Sequence, residues 1–143
     1  MTEIAAWKDS YLVGDEVIDG QHRELIGICQ AIEDLAYSGR PVSKEEAHAR
    51  LIELFEEFRN HFDEEMQLYR RVYRIDYQEH QQHHAEFLEN MADIIDNTKD
   101  RVPDLKAVIA FTRHWFIMHI RFKDIPQFEE IRARGFSRKE WGL

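Results

Sequence analysis

Apolar residues recur at intervals of three and four along most of this chain, and glycine and proline punctuate the recurrence at Gly14, Gly20, Gly39, Pro41, Pro103, Pro126 and Gly135. That interval marks a helix with one buried stripe, so the pattern predicts amphipathic helices, and no segment shows strand-like alternation. The first helix is expected over Ile18 to Tyr37, with Leu25, Ile26, Ile28, Cys29, Ile32, Leu35 and Ala36 on one face. The second follows Pro41-Val42, where Ser43 and Glu46 stand as a capping box, and carries Leu51, Leu54, Phe55, Phe58, Phe62 and Met66 to about Tyr69. Asp76 is expected to cap the third, which bears His80, His84, Phe87, Leu88, Met91 and Ile94 or Ile95. Pro103 is placed in the first turn of the fourth, with Leu105, Val108, Ile109, Phe111, Thr112, Trp115, Phe116 and His119 on its stripe. Short links force neighbouring helices to be antiparallel, so the expected fold is all-α, an up-down-up-down four-helix bundle. At 143 residues the chain is read as a single domain. An irregular N-terminal arm is expected over 1–17, the bundle over about 18–124, and a tail with a short C-terminal helix over 125–143.

Charge and cysteine content narrow the chemistry. The formal net charge is −9, which disfavours nucleic acid as a partner because phosphate binding needs clustered positive charge. No uncharged run approaches the roughly 18 residues of a membrane span, and the N-terminus has no basic and apolar signal pattern. A cytoplasmic protein with no membrane partner is expected. Cys29 stands alone, excluding an internal disulfide, a CxxC pair or a thiolate zinc cluster. Nitrogen and oxygen ligands remain.

Eight histidines supply the nitrogen. Helix residues four apart differ by about 40° in direction and about 6 Å in height, so they project side by side. His61 with Glu65 and His80 with His84 are such pairs, each flanked by apolar positions. His22 lies three and four residues before Leu25 and Ile26, and His119 lies four after Trp115. Asp124 is five beyond His119, a spacing of about 140° in a regular helix. Both face inward only if the helix loosens into a π-type turn or ends there, and Pro126 favours an ending. His48, His83 and His114 lack partners at productive spacing and are read as ordinary surface or core residues. Taken singly, each motif has a bland reading as a solvated or half-buried histidine. Jointly, five imidazoles and two carboxylates inside one bundle, with no inward lysine or arginine, call for a cation. That donor set suits first-row transition metals, and seven ligands exceed what one ion takes.

The residues that carry this pattern resemble the hemerythrin family. The matching segments are Trp7, Tyr11-Leu-Val-Gly14, Ile18-Asp-Gly-Gln-His22, His61-Phe-Asp-Glu-Glu65, His80-Gln-Gln-His-His84 and Trp115-Phe-Ile-Met-His119 with Asp124. The resemblance implies two non-heme iron ions, one on His80, His84 and His119 and the other on His22 and His61. Glu65 and Asp124 would bridge them together with an oxo or hydroxo group. It further implies dioxygen as the ligand, bound at the iron with two histidines inside a dry pocket, for which Leu25, Phe62, Trp115, Phe116 and Ile120 are the candidate lining. Two positions depart from the family pattern. Phe116 stands where a leucine is usual, and Asp124-Ile-Pro-Gln-Phe128 replaces a segment with basic residues and a tyrosine. The C-terminal tail is read as a helix patching the bundle end rather than as a docking site.

The leading expectation is therefore reversible dioxygen binding for transport, storage or buffering, and not an enzyme. The alternative is a di-iron redox enzyme or sensor acting on peroxide or nitric oxide, or iron handling. No positioned acid or base beyond the ligands and no second cysteine support that alternative. A third reading is a metal-free helical interaction module. The sequence identifies no protein acceptor or reductase.

Overall fold

The computed structural model describes residues 7–72 and 74–139. Expectations that concern residues 1–6 and 140–143 lie outside the described residues. Five α-helices dominate: α1 (Glu16–Ala36), α2 (Lys44–Arg70), α3 (Gln78–Asn97), α4 (Leu105–His119) and α5 (Ile125–Ala133). A π-helical segment at Ile120–Asp124 joins α4 to α5, and one 3-10 turn covers Asp9–Tyr11. No strand occurs among the described residues, and α1 packs against α2 and α4 while α2 packs against α3, so the molecule is a helical bundle. Among the described residues no helix is long and apolar enough to cross a membrane.

The helix starts follow their caps. The Ser43 hydroxyl accepts from the Glu46 amide at 3.0 Å, one half of the expected capping box, while the Glu46 carboxylate accepts from Arg40. Asp15 accepts from the Ile18 amide at 3.1 Å, so α1 begins two residues earlier than expected and the arm ends before residue 17. Gly20 lies inside α1 and breaks nothing. Pro103 precedes the fourth helix, because Asp104 takes the cap and accepts from the Ala107 amide at 3.1 Å. Asp76 accepts from the Gln78 amide at 3.2 Å, although Tyr77 occupies the cap position itself. Phe111, expected inward, is 43% exposed at the edge of its stripe.

Two apolar clusters fill the interior. The larger runs between α1, α2, α3 and α4 and contains Ile32, Leu54, Phe58, Phe87, Met91 and Ile109. The smaller closes one end of the bundle with Ile18, Met66, Tyr69, Phe128, Ile131 and Phe136. Each such side chain contributes about 1.5–3 kcal/mol on burial, so the tail is an integral part of the fold. Polar contacts lock it to the start of α1. Arg138 donates from Nε and Nη2 to both oxygens of Asp15, each at 2.8 Å, and Arg132 donates from Nη1 to the Val13 carbonyl. Gly14 permits this approach: its φ is +91°, and a Cβ there would lie 2.7 Å from Arg132 Nη1.

Candidate metal centre

Four helical segments each deliver ligand-type side chains to one point between the two apolar clusters. α1 brings His22, α2 brings His61 and Glu65 one turn apart, α3 brings His80 and His84 one turn apart, and α4 ends on His119. The π segment then supplies Asp124. Five residues make about one turn of a π-helix, so Asp124 returns to the side of His119, and its Oδ1 lies 3.1 Å from His119 Nε2. The helix loosens here rather than ending. Pro126 falls in the first turn of α5, a position that tolerates its missing N–H.

All seven residues are buried, none more than 4% exposed. Their Nε2 atoms converge in two groups. His84 and His119 approach to 2.9 Å and His80 and His119 to 3.1 Å, while His22 and His61 approach to 3.0 Å. The carboxylates lie between the groups. Glu65 turns Oε1 toward His84 (3.3 Å) and Oε2 toward His61 (3.3 Å) and His22 (3.5 Å). Asp124 turns Oδ1 toward His80 (2.8 Å) and Oδ2 toward His22 (3.2 Å). Ligand-type atoms of Glu65, His80, His84, His119 and Asp124 form one compact set, and those of His22, His61, Glu65 and Asp124 form another. Only the two carboxylates belong to both.

The electrostatics require positive charge at this point. Burial and the Asp124 charge push the Glu65 pKa up, but the surrounding histidines, His61 foremost, hold it well below the usual carboxylate range. Asp124 is also held low, with His119 outweighing burial. Burial opposes a charge on His22, yet Asp124 and Glu65 overcome it and raise its pKa to about 9. Burial dominates at His84 and lowers its pKa to about 4. Both Glu65 oxygens and Asp124 Oδ2 are buried and accept no hydrogen bond. Converging nitrogen lone pairs around unsatisfied carboxylate oxygens fit a cation of the transition-metal class.

Residues outside this set complete the site, and sequence reading missed them. The Gln21 amide oxygen lies 2.7 Å from His61 Nδ1, the Gln127 amide oxygen 3.1 Å from His80 Nδ1, and His83 Nδ1 2.7 Å from His119 Nδ1. The chain signals them only by helical offset: Gln21 adjoins His22, and His83 precedes His84. Gln127 stands three residues beyond Asp124, in the first turn of α5. Burial, then the nearby His119, lowers the His83 pKa. His48 bonds instead to Thr98 Oγ1 and the Lys44 carbonyl, and His114 is exposed.

Aromatic rings wall the centre on the side of the larger core. Phe62 stacks on His84 with centroids 3.9 Å apart, and Phe116 meets His22 edge-on at 5.3 Å. Trp115 lies parallel to His119 at 4.7 Å. Leu25 and Ile120 are buried in the same apolar cluster. One expectation is corrected: a cationic side chain does point inward, since Arg113 is 3% exposed. Its partner is Glu33, at 2.7 Å, rather than the histidine cluster.

The hemerythrin HHE cation-binding domain matches residues 13–125 of this sequence. The chain belongs to the hemerythrin family. The matched span contains every residue of the centre, and the family's cation-binding character agrees with the unsatisfied buried oxygens. No curated protein matches the chain, and no solved structure does.

Proposed function

We propose that this hemerythrin-family protein binds dioxygen reversibly at a pair of non-heme iron ions and so carries, stores or buffers it. His80, His84 and His119 would hold one ion and His22 and His61 the other, with Glu65 and Asp124 as bridges. The observation that carries this reading is that each carboxylate directs one oxygen to each histidine group. When bound, the iron pair supplies the electrons that reversible dioxygen binding requires.

The chain's own residues supply the rest. Three histidines face two, so the His22 and His61 side is one ligand short, and Phe116 stands against it at 5.3 and 6.4 Å. Phe116 is 1% exposed and Ile120 is fully buried, so this face is apolar and closed to bulk water. Water exclusion protects a reversibly bound ligand from protonation and displacement. Domains of this family are typically carriers or sensors rather than enzymes.

The test is an optical spectrum of the purified protein with iron quantified, through cycles of anaerobic reduction, exposure to air and degassing. Two irons per chain and a charge-transfer band that appears and vanishes reversibly are the expected result. Immediate irreversible oxidation with sustained turnover of peroxide or nitric oxide would replace this reading with a redox enzyme.

A further inference from the structure

A histidine that ligates through Nε2 carries its proton on Nδ1, and the group accepting that proton fixes the ring's tautomer and direction. In His119, Nδ1 lies 2.7 Å from Nδ1 of His83. One proton serves a contact between two ring nitrogens, so with His119 as donor, His83 accepts and bears its own proton on Nε2. The ring geometry supports an in-plane bond. The two imidazoles are 15° from coplanar with centroids 4.9 Å apart, the arrangement of two rings joined edge to edge by one N–H···N bond.

Trp115 holds this pair flat. Its indole is within 10° of the His119 plane and 24° of the His83 plane, at 4.7 and 4.9 Å. Phe87 stacks against Trp115 at 4.1 Å and 23°. A ring face that covers both imidazoles opposes rotation of either one out of the plane they share.

We propose that His83 is a positioning residue of the metal centre, accepting the His119 Nδ1 proton and so keeping the His119 Nε2 lone pair aimed at Asp124 and the other ligands. This inference rests on the metal reading above and assigns a role to a histidine that carries no ligand spacing. Outer partners of ligating histidines are worth about 10–100-fold in metal affinity.

The experiment titrates metal-free protein with Co(II), followed by visible absorption and by proton NMR of the shifted, solvent-exchangeable imidazole N–H signals. Wild type is compared with His83→Leu, which removes the acceptor, and His83→Asn, whose side-chain oxygen can stand where Nδ1 stood. Wild type is expected to take two Co(II) ions. The Leu variant should bind one of them about 10–100-fold more weakly and exchange one N–H signal rapidly with water, whereas the Asn variant should bind within a few-fold of wild type. Wild-type affinity for both ions in the Leu variant would overturn the proposal, as would equal losses in Leu and Asn. If the Leu variant fails to fold, as read by the metal-free melting temperature, His83→Gln takes its place, since it displaces the acceptor from the plane. Failure of wild type itself to take two ions would overturn the two-metal reading instead.

Discussion

The core of this bundle buries two sets of ionisable side chains, and they are balanced in opposite ways. Within the larger apolar cluster, Glu33 of α1 and Arg113 of α4 form an ion pair at 2.7 Å whose charges cancel. Cys29 lies near them as a filler rather than a nucleophile, because burial pushes its thiol up to about 12. In the seven-residue cluster, two carboxylates face five imidazoles, and among the described residues no lysine or arginine pairs with either carboxylate. The histidines can supply only protons, and the ring nitrogens approach one another to 2.9–3.1 Å. A closed pair is consistent with structure alone. An open cluster of this size is a demand for a cation.

The strongest way to break this comparison is to remove the cation. A metal present at about 1,000 times its Kd stabilises the fold by about 4 kcal/mol, so chelation should lower the melting temperature sharply. Glu65→Ala and Asp124→Ala should lose bound metal together with that stabilisation. Metal analysis beside thermal melts checks this, and full loading of either variant would refute the bridging role.

The closed pair should answer differently. Arg113→Leu removes the buried cation that faces Glu33 at a cost of about 3–5 kcal/mol, whereas Glu33→Leu with Arg113→Leu should recover most of the loss. Urea unfolding of the metal-free forms measures both. The double variant should still bind metal at wild-type stoichiometry, since neither residue belongs to the two ligand sets of the centre. A double variant as unstable as the single one would show that the pair does more than cancel charge.

The pH response sharpens the contrast further. In metal-free protein the His22 pKa is raised to about 9 from an ordinary 6.5, so its contribution is complete below pH 6.5 and is lost as pH rises toward 9. His84 is lowered to about 4, so folding competes with its protonation, and stability falls as pH drops from 6.5 toward 4. Glu65 and Asp124, both held low, add to the acid-side loss. Metal-free protein should therefore be most stable near pH 6.5, with a decline on the order of 3 kcal/mol on the alkaline side. Metal binding replaces those protons. Loaded protein should lack the alkaline decline, and melts of both forms from pH 5 to 9 decide it.

How far these regions could be read from sequence differs for a physical reason. The ligands obey helical spacing, so His61 with Glu65 and His80 with His84 declare themselves, and the five-residue gap from His119 to Asp124 left two choices, a helix end or the π segment found there. Ser43 likewise announces α2. Arg113 escaped because an inward cation on a mixed helix face looks like any solvated arginine until Glu33, eighty residues away, is known to meet it. His83 and Gln127 escaped because they act on ligands of other elements, and a contact between helices leaves no periodic trace. Pro126 misled because proline ends a regular helix, whereas at the junction of a π segment and α5 it fits the start of a new one.

The smallest effect concerns the pocket rather than the charges. Phe116 is wedged against His22 at 5.3 Å and against Phe58 at 5.0 Å, both edge-on. Phe116→Leu removes ring volume from a site that is 1% exposed, and a partly collapsing cavity of this kind costs about 1 kcal/mol of stability. Metal stoichiometry should not change, because all seven ligand side chains are retained. Dioxygen release, followed by stopped-flow absorption of the iron-loaded protein, should become faster as the freed volume lets the ligand pass. Unchanged release beside a lowered melting temperature would mean that Phe116 only packs, and that the ligand leaves along another wall, with Phe62 over His84 the next ring to truncate.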